Sequence, residues 1–204
     1  MNPAQQAKEI YRDKYSTISR YVDILSTKGI DWGLIGPRER DRLWDRHVLN
    51  SAALADLIPE GAHVVDVGSG AGLPGIPLAV LRPDLDITLL EPLLRRHAFL
   101  TETVDDLGLE GRVHPLRGRA EDCDKTFDVV TCRAVANVTK LLRWCTPLFY
   151  PHGRLIALKG SSVDQELADA SRLLESSRLE ASVFQVRAHP LAEVTQALVL
   201  EPLR

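Results

Sequence analysis

Cysteine is scarce in this 204-residue chain, and the three that occur, Cys123, Cys132 and Cys145, are odd in number and show no CxxC spacing. They predict reduced thiols in a cytoplasmic protein and exclude both a disulfide framework and a cysteine zinc site. The six histidines are too dispersed to form a recognisable metal motif, so we expect no bound metal.

Long apolar runs and a strong excess of one charge are also lacking. No run of about eighteen apolar residues occurs, so we expect no membrane span, and the charged first residues are unlike a secretory signal. Lys and Arg total 25 against 28 Asp and Glu, a net charge of −3. A basic footprint over the whole chain is therefore missing, and any contact with nucleic acid must come from local patches.

Two patterns divide the chain. Apolar residues recur at a helical period to about residue 26 and again over about 37–57, which predicts an N-terminal helical extension at 1–58. Beyond it, short β-branched runs alternate with helical segments and predict a core at 59–204. The hydrophobic fraction of 45% and charged fraction of 26% are ordinary for a globular chain, and the length suits one structural unit with an appendage.

Five strand-like segments alternate with helices in this core, which predicts a parallel sheet covered on both faces. The predicted strands are 63–67, 86–90, 112–116, 127–132 and 154–158, and the predicted helices are about 74–81, 92–107, 137–144 and 163–174. Two last strands, 179–187 and 193–200, have no helix between them and indicate an antiparallel hairpin at the sheet edge. The predicted fold class is therefore α/β, with a doubly wound, mostly parallel sheet.

A glycine-rich turn, DVGSGAGLPG at 66–75, follows the first predicted strand. Glycines allow positive φ and let a ligand approach the backbone closely, and ligand sites of α/β sheets lie at the carboxyl ends of strands. Because Gly70, Gly72 and Gly75 satisfy GxGxxG, an NAD-dependent oxidoreductase must be considered.

Acidic residues near this turn favour a different ligand. Asp66, at the tip of the first strand, suits an ammonium group better than a pyrophosphate, which it would repel. Glu91 lies about 20 residues after Gly70, where an acid commonly accepts ribose hydroxyls, although it could instead cap the next helix. Glu121 or Asp122 could meet an adenine amino group, or be plain loop acids. Ammonium, ribose and adenine together describe S-adenosylmethionine.

The run DVGSGAGLPGIP at 66–77 resembles the RsmG (GidB) family of bacterial methyltransferases of small-subunit ribosomal RNA. Its GLPGIP ending is more specific than a generic glycine motif, and the resemblance covers about residues 21–174. Four further segments agree in order: RHVLNS at 46–51, RAE at 119–121, CRAVA at 132–136 and ALKG at 157–160. Asn50 stands where the family commonly has Asp, which leaves a carboxylate role there open, and Cys132 stands where it commonly has Ser.

The resemblance implies a class I (Rossmann-like) methyltransferase fold and methylation at N7 of a guanine in the decoding-region loop of 16S rRNA, presented as RNA or within the small ribosomal subunit. By matching motif positions it implies cofactor contacts at Gly68, Leu73, Ala120, Glu121 and Arg133. To these the strand ends and the glycine turn add Asp66, Gly70 and Glu91.

The expected chemistry needs no catalytic side chain. The N7 lone pair of neutral guanine is free, so in-line methyl transfer requires alignment and exclusion of water rather than a general base. Arg133 and Lys159 end the fourth and fifth predicted strands, and we expect Arg133 to border cofactor and base and Lys159 to contact RNA. Both could instead be plain surface cations.

Two further substrate-binding candidates lie in the N-terminal extension. Arg46 follows Arg38 and Arg42 at α-helical spacing, which would place three arginines on one face suited to phosphates. Glu39, Asp41 and Asp45 alternate with them, so a solvated, ion-paired helix is the alternative. His47 could donate to RNA, order the cofactor loop or be a packed core residue.

Other functions remain open at this point. The same cofactor could serve a small-molecule or protein substrate, and a non-catalytic RNA-binding assembly factor could retain the cofactor site. The terminal hairpin, Asp66 and the lack of an evident hydride-transfer acid argue against the NAD enzyme. The oligomeric state is also open, with a monomer slightly favoured.

Overall fold

A seven-stranded sheet forms the centre of the computed structural model, which describes residues 1–133 and 135–203. The strands are β1 His63–Val67, β2 Asp86–Leu90, β3 Val113–Leu116, β4 Val129–Arg133, β5 Arg154–Lys159, β6 Leu179–Val186 and β7 Thr195–Pro202. Their order is β3-β2-β1-β4-β5-β7-β6, with β1 to β5 parallel and β7 antiparallel to both β5 and β6. The predicted α/β class, parallel sheet and terminal hairpin are confirmed.

Seven α-helices accompany the sheet in the described ranges: α1 Pro3–Tyr11, α2 Tyr15–Ile24, α3 Asn50–Ala52, α4 Gly75–Leu81, α5 Leu94–Leu107, α6 Val138–Phe149 and α7 Val163–Ser176. None of the helices described is long and apolar enough to cross a bilayer. The predicted end of α6 at residue 144 is too early, because Leu141, Cys145 and Leu148 continue one buried face past the internal Pro147.

The second helical stretch of the N-terminal extension is not the α-helix that the spacing predicts. It runs as a 3-10 helix, Pro37–Arg42, and then as a π-helical segment, Leu43–Leu49, before α3. A 3-10 helix has three residues per turn, so a spacing of four does not return to the same side. The prediction of one arginine face is therefore wrong for Arg38 and Arg42.

The extension and the sheet share a hydrophobic core. Tyr11, Ile18 and Tyr21 from the extension are fully or almost fully buried in one cluster with Val64 and Ile87 of the sheet. The opposite face of the sheet is covered by α6 and α7. The first 58 residues thus pack directly on the sheet, over the side that carries the glycine-rich turn.

Candidate active site

The glycine-rich turn at the carboxyl end of β1 is too tightly packed for side chains at two positions. Gly72 has φ +96°, and a Cβ there would lie 2.4 Å from Ile76 Cδ1. At Gly75 a Cβ would lie 2.4 Å from Leu89 Cδ2 and 2.8 Å from Asp66 Oδ2. Gly68 and Gly70 also have positive φ, so the turn depends on glycine for its backbone conformation.

Glu91 joins the ends of β1 and β2. Its side chain is buried, with 1% exposure, and Oε2 accepts from the backbone N–H of Gly70 at 3.0 Å. Oε1 accepts from the N–H of Leu93 at 3.0 Å, just before α5, but no side chain in the described part of the chain caps the first turn of that helix. Each carboxylate oxygen has a further lone pair, which leaves the acid able to accept from a ligand hydroxyl.

Two adjoining cavities open at this edge of the sheet and share Gly68, Pro92 and Val135. The first has a volume of about 540 Å³, and the second about 260 Å³. Of the residues predicted to bind cofactor, the first is lined by Gly68, Gly70, Leu73, Glu91 and Arg133, and the second by Gly68, Ala120 and Glu121. Seven of the eight predicted residues therefore line these two adjoining cavities.

Several residues that line the cavities were not predicted from the sequence. Leu34 and Ile35, between α2 and the 3-10 helix, border the first cavity together with Arg96 from the first turn of α5. Arg119 and Trp144 border the second. Only Arg96 and Arg119 carried a local signal, because each follows closely on a strand end that faces the ligand side of such sheets.

Asp66 is the eighth predicted residue and does not line either cavity. Its side chain is fully buried beneath the turn, where Oδ2 accepts from the N–H of Gly75 at 3.0 Å. Burial raises the pKa of this carboxyl to about 7, against the hydrogen bonds from Gly75 and Ser69 and the charge of Arg133. Asp66 therefore holds the glycine turn from below, and its predicted contact with a ligand ammonium stays a prediction that this burial does not support.

Arg133 is held at the cavity wall by the N-terminal extension. Its Nη1 donates to the carbonyl oxygen of Arg46 at 3.2 Å, and its Nη2 donates to Nδ1 of His47. Burial lowers the pKa of the Arg133 guanidinium from its usual value. His47 has only 5% exposure, which fits the alternative of a packed residue, and its contact with RNA stays a prediction. Arg46 is exposed and pairs with Glu39 at 3.1 Å, as the ion-paired alternative predicts.

Lys159 makes internal contacts where the sequence predicted an RNA contact. Its side chain is 9% exposed, and Nζ pairs with Glu166 Oε2 at 2.5 Å and donates to the carbonyl oxygen of Ala136 at 3.0 Å. It lines a third cavity of about 310 Å³, next to Val135, with Cys132 and Asn137. Lys159 thus connects β5, α7 and the loop after β4, and its contact with RNA stays a prediction that these internal contacts do not support.

No group of three or more His, Cys, Asp or Glu side chains in residues 1–133 and 135–203 is arranged to hold a metal ion. The polar groups that line the two cavities are instead backbone amides of the glycine turn, two acids, Glu91 and Glu121, and three arginines, Arg96, Arg119 and Arg133. Such an arrangement can bind a ligand that carries hydroxyl and carboxylate groups.

Solved structures with a similar fold include an O-methyltransferase from neocarzinostatin biosynthesis, NcsB1, in complex with S-adenosyl-L-homocysteine. It superposes with a TM-score of 0.63 at 18% identity, over 98% of this chain and 68% of that chain. The sheet order and the glycine turn after β1 are those of a Rossmann-like fold, and this chain shares that fold with solved S-adenosylmethionine-dependent methyltransferases.

The sequence comparisons define the family. Residues 14–194 match the model of GidB, rRNA small subunit methyltransferase G. The ribosomal RNA small subunit methyltransferase G of Streptomyces coelicolor is 52% identical over 97% of this chain and 85% of that protein. The same-named protein of Streptomyces avermitilis is 48% identical over the same shares of both chains. This chain belongs to the GidB family, rRNA small subunit methyltransferase G.

Proposed function

We propose that this protein transfers a methyl group from S-adenosylmethionine to N7 of a guanine in the decoding-region loop of 16S rRNA. The observation that carries the proposal is the paired depression at the carboxyl edge, which joins the glycine turn, Glu91 and Arg133 in a member of the GidB family. The guanine and its N7 come from the resemblance of the motifs at 66–77 and 132–136 to that family.

The residues around the depression fit the methyl donor. Glu91 supplies carboxylate lone pairs for ribose hydroxyls, and Ala120 and Trp144 supply apolar surface for adenine. Arg133 supplies a planar cationic fork for the carboxylate of the methionine portion. The glycines leave the backbone open to close approach.

The transfer itself requires alignment more than proton transfer. When bound, S-adenosylmethionine supplies a methyl group on a positively charged sulfur. N7 of guanine attacks with a free lone pair, so the protein's task is to orient the base and keep out water. Cys132 is unsuited to a covalent mechanism, because burial raises the pKa of its thiol well above the usual value.

Exposed arginines support an RNA substrate. Arg96 and Arg119 line the two cavities, and Arg46 lies on the extension beside Arg133. Guanidinium groups suit phosphates because they are planar and always charged. A local cluster of this kind can attract RNA although the chain as a whole carries −3. We further infer a cytoplasmic location, where ribosomal RNA is available.

The test is methyl transfer from labelled S-adenosylmethionine by the purified protein. Small ribosomal subunits, naked 16S rRNA, cell metabolites and total protein are offered separately, and labelled RNA is digested to identify the modified nucleoside. We expect 7-methylguanosine within the decoding region, and its loss from cells that lack the gene. Label in metabolites or protein would replace the substrate assignment, and cofactor binding without turnover would favour an assembly factor.

A further inference from the structure

A chain of three side chains connects the N-terminal extension to the proposed donor site. His47 lies between Arg133 and Glu39: its Nδ1 meets Arg133 Nη2, and its Nε2 lies 3.1 Å from Glu39 Oε2. Glu39 belongs to the 3-10 helix and His47 to the π-helical segment. Turns of π-helix, which are wider than those of an α-helix, are frequent at functional sites.

The donors and acceptors of the three side chains determine which imidazole nitrogen of His47 carries the proton. A guanidinium has only donors, so Nδ1 of His47 must be an acceptor and therefore carries no proton. The single imidazole proton is then on Nε2, where it is donated to Glu39. Burial, followed by the positive charge of Arg133, lowers the pKa of His47 to about 4, which keeps the ring neutral near pH 7.

The other contacts of the three residues also restrict the guanidinium. Glu39 Oε1 accepts from Arg46 Nη1 at 3.1 Å, and Arg133 Nη1 donates to the Arg46 carbonyl oxygen at 3.2 Å. Both terminal nitrogens of Arg133 are therefore anchored to one segment outside the sheet. An anchored fork loses less rotational freedom when it binds a ligand than a free arginine does.

We propose that Glu39 and neutral His47 are positioning residues, which set the direction of the Arg133 guanidinium at the cavity wall for the methyl donor. This rests on the proposed function, since it assigns the site to S-adenosylmethionine. It deepens that function by making the extension part of the site: Glu39 and His47, both from the extension, orient a donor-binding group that is carried by β4.

The experiment is calorimetric titration with S-adenosylhomocysteine of the wild type and a set of variants. His47→Leu removes the acceptor, and we expect binding weaker by about tenfold, the size of one hydrogen bond to a charged group. His47→Asn can present an amide oxygen at the position of Nδ1, so its affinity should stay within about threefold of the wild type. Val48→Ala is the matched control, because Val48 is fully buried beside His47: its melting temperature should fall while its affinity does not change.

A double-mutant cycle shows whether His47 acts through Arg133. In an Arg133→Ala background, His47→Leu should weaken binding no further. An equal loss in both backgrounds, an Asn variant as weak as the Leu variant, or wild-type affinity in His47→Leu would overturn the proposal. If His47→Leu does not fold, Glu39→Ala takes its place in the cycle, with about threefold weaker binding expected and unchanged binding contradicting the proposal.

A measurement without ligand separates this inference from the proposed function. Nitrogen NMR of His47 at pH 7 should show a neutral ring protonated at Nε2 in the wild type and a changed tautomer balance in Arg133→Ala. A proton on Nδ1 of the wild type would overturn the inference whatever the ligand. Failure of the wild type to bind S-adenosylhomocysteine would instead contradict the proposed function. The NMR result would still show whether His47 Nδ1 accepts a hydrogen bond from Arg133.

Discussion

The hydroxyl of Tyr21, in α2, donates a hydrogen bond to the carbonyl oxygen of Ala71, inside the glycine turn, at 2.8 Å. Tyr21 is fully buried, and a Cβ on the adjacent Gly72 would lie 3.3 Å from the same hydroxyl. The helical extension therefore satisfies a buried backbone acceptor of the turn and limits how far the turn can move. The extension thus contacts the proposed donor site through this bond as well as through Arg133.

Removing that hydroxyl should weaken both the fold and the site. Tyr21→Phe leaves the Ala71 carbonyl without its partner, so we expect a loss of about 1–2 kcal/mol in the free energy of unfolding. Affinity for S-adenosylhomocysteine should fall several-fold, as measured by calorimetry. Tyr15→Phe is the matched control, since within the described residues the Tyr15 hydroxyl makes no hydrogen bond while its ring stacks on Trp44. Equal behaviour of the two variants would show that the Ala71 bond contributes nothing specific.

Glu91→Gln should impair donor binding more than its small change in shape suggests. The carboxylate accepts from two backbone amides, of Gly70 and Leu93, whereas a glutamine has only one acceptor oxygen and turns an NH₂ toward the second amide. We expect S-adenosylhomocysteine to bind between about 10-fold and 100-fold more weakly, from the usual strength of hydrogen bonds to charged groups. Glu110→Gln, at an exposed position, is the control. Wild-type affinity in Glu91→Gln would remove Glu91 from the site.

Local patterns predicted the sheet and the floor of the site well. Strands β1 and β2 begin and end where their β-branched runs do, because buried parallel strands are continuous apolar segments between turn residues. Glu91 could be found because a ligand-side acid follows β2 at a fixed distance from the glycine turn. These features depend on residues close together in the chain.

The directions of side chains, and their contacts with elements distant in the sequence, could not be predicted in the same way. Side chains alternate along a strand, so Asp66 shares the face of Val64, which the extension covers, and points away from the cavity. The pairing of Lys159 with Glu166 depends on how α7 packs after β5. Leu34 and Ile35 reach the site only because the whole extension folds over the sheet. Each of these depends on contacts that periodicity does not encode.

Lys159→Met should reduce stability without changing the electrostatics of RNA binding. It removes the cation from Glu166, which keeps hydrogen bonds from Val138 N–H and Ser162 Oγ, and because the Glu166 side chain is 19% exposed we expect a loss of about 2 kcal/mol in unfolding free energy, below the value for fully buried pairs. Combining it with Glu166→Leu should cost less than the sum of the single changes.

The RNA-binding consequence follows from the same ion pair. A lysine that contacted phosphate would contribute about one unit to the slope of log affinity against log salt concentration. We expect the slope for 16S rRNA to be the same in Lys159→Met and the wild type. A slope reduced by about one would restore the RNA contact that the sequence predicted.

The buried carboxyl of Asp66 makes stability depend on pH in an unusual direction. Burial raises its pKa from 3.8 to about 7 in the folded protein, so folding favours the protonated form. Its contribution is fully present below the unfolded pKa and is lost as pH rises from about 4 through 7, by ~4 kcal/mol in total. Asp66→Asn cannot ionise. The unfolding free energy of this variant minus that of the wild type, measured in urea, should therefore increase from pH 4 to pH 7 and level off above it. A difference that stays constant, or that decreases over this range, would mean that Asp66 is ionised beneath the glycine turn and interacts with Arg133 as a charge.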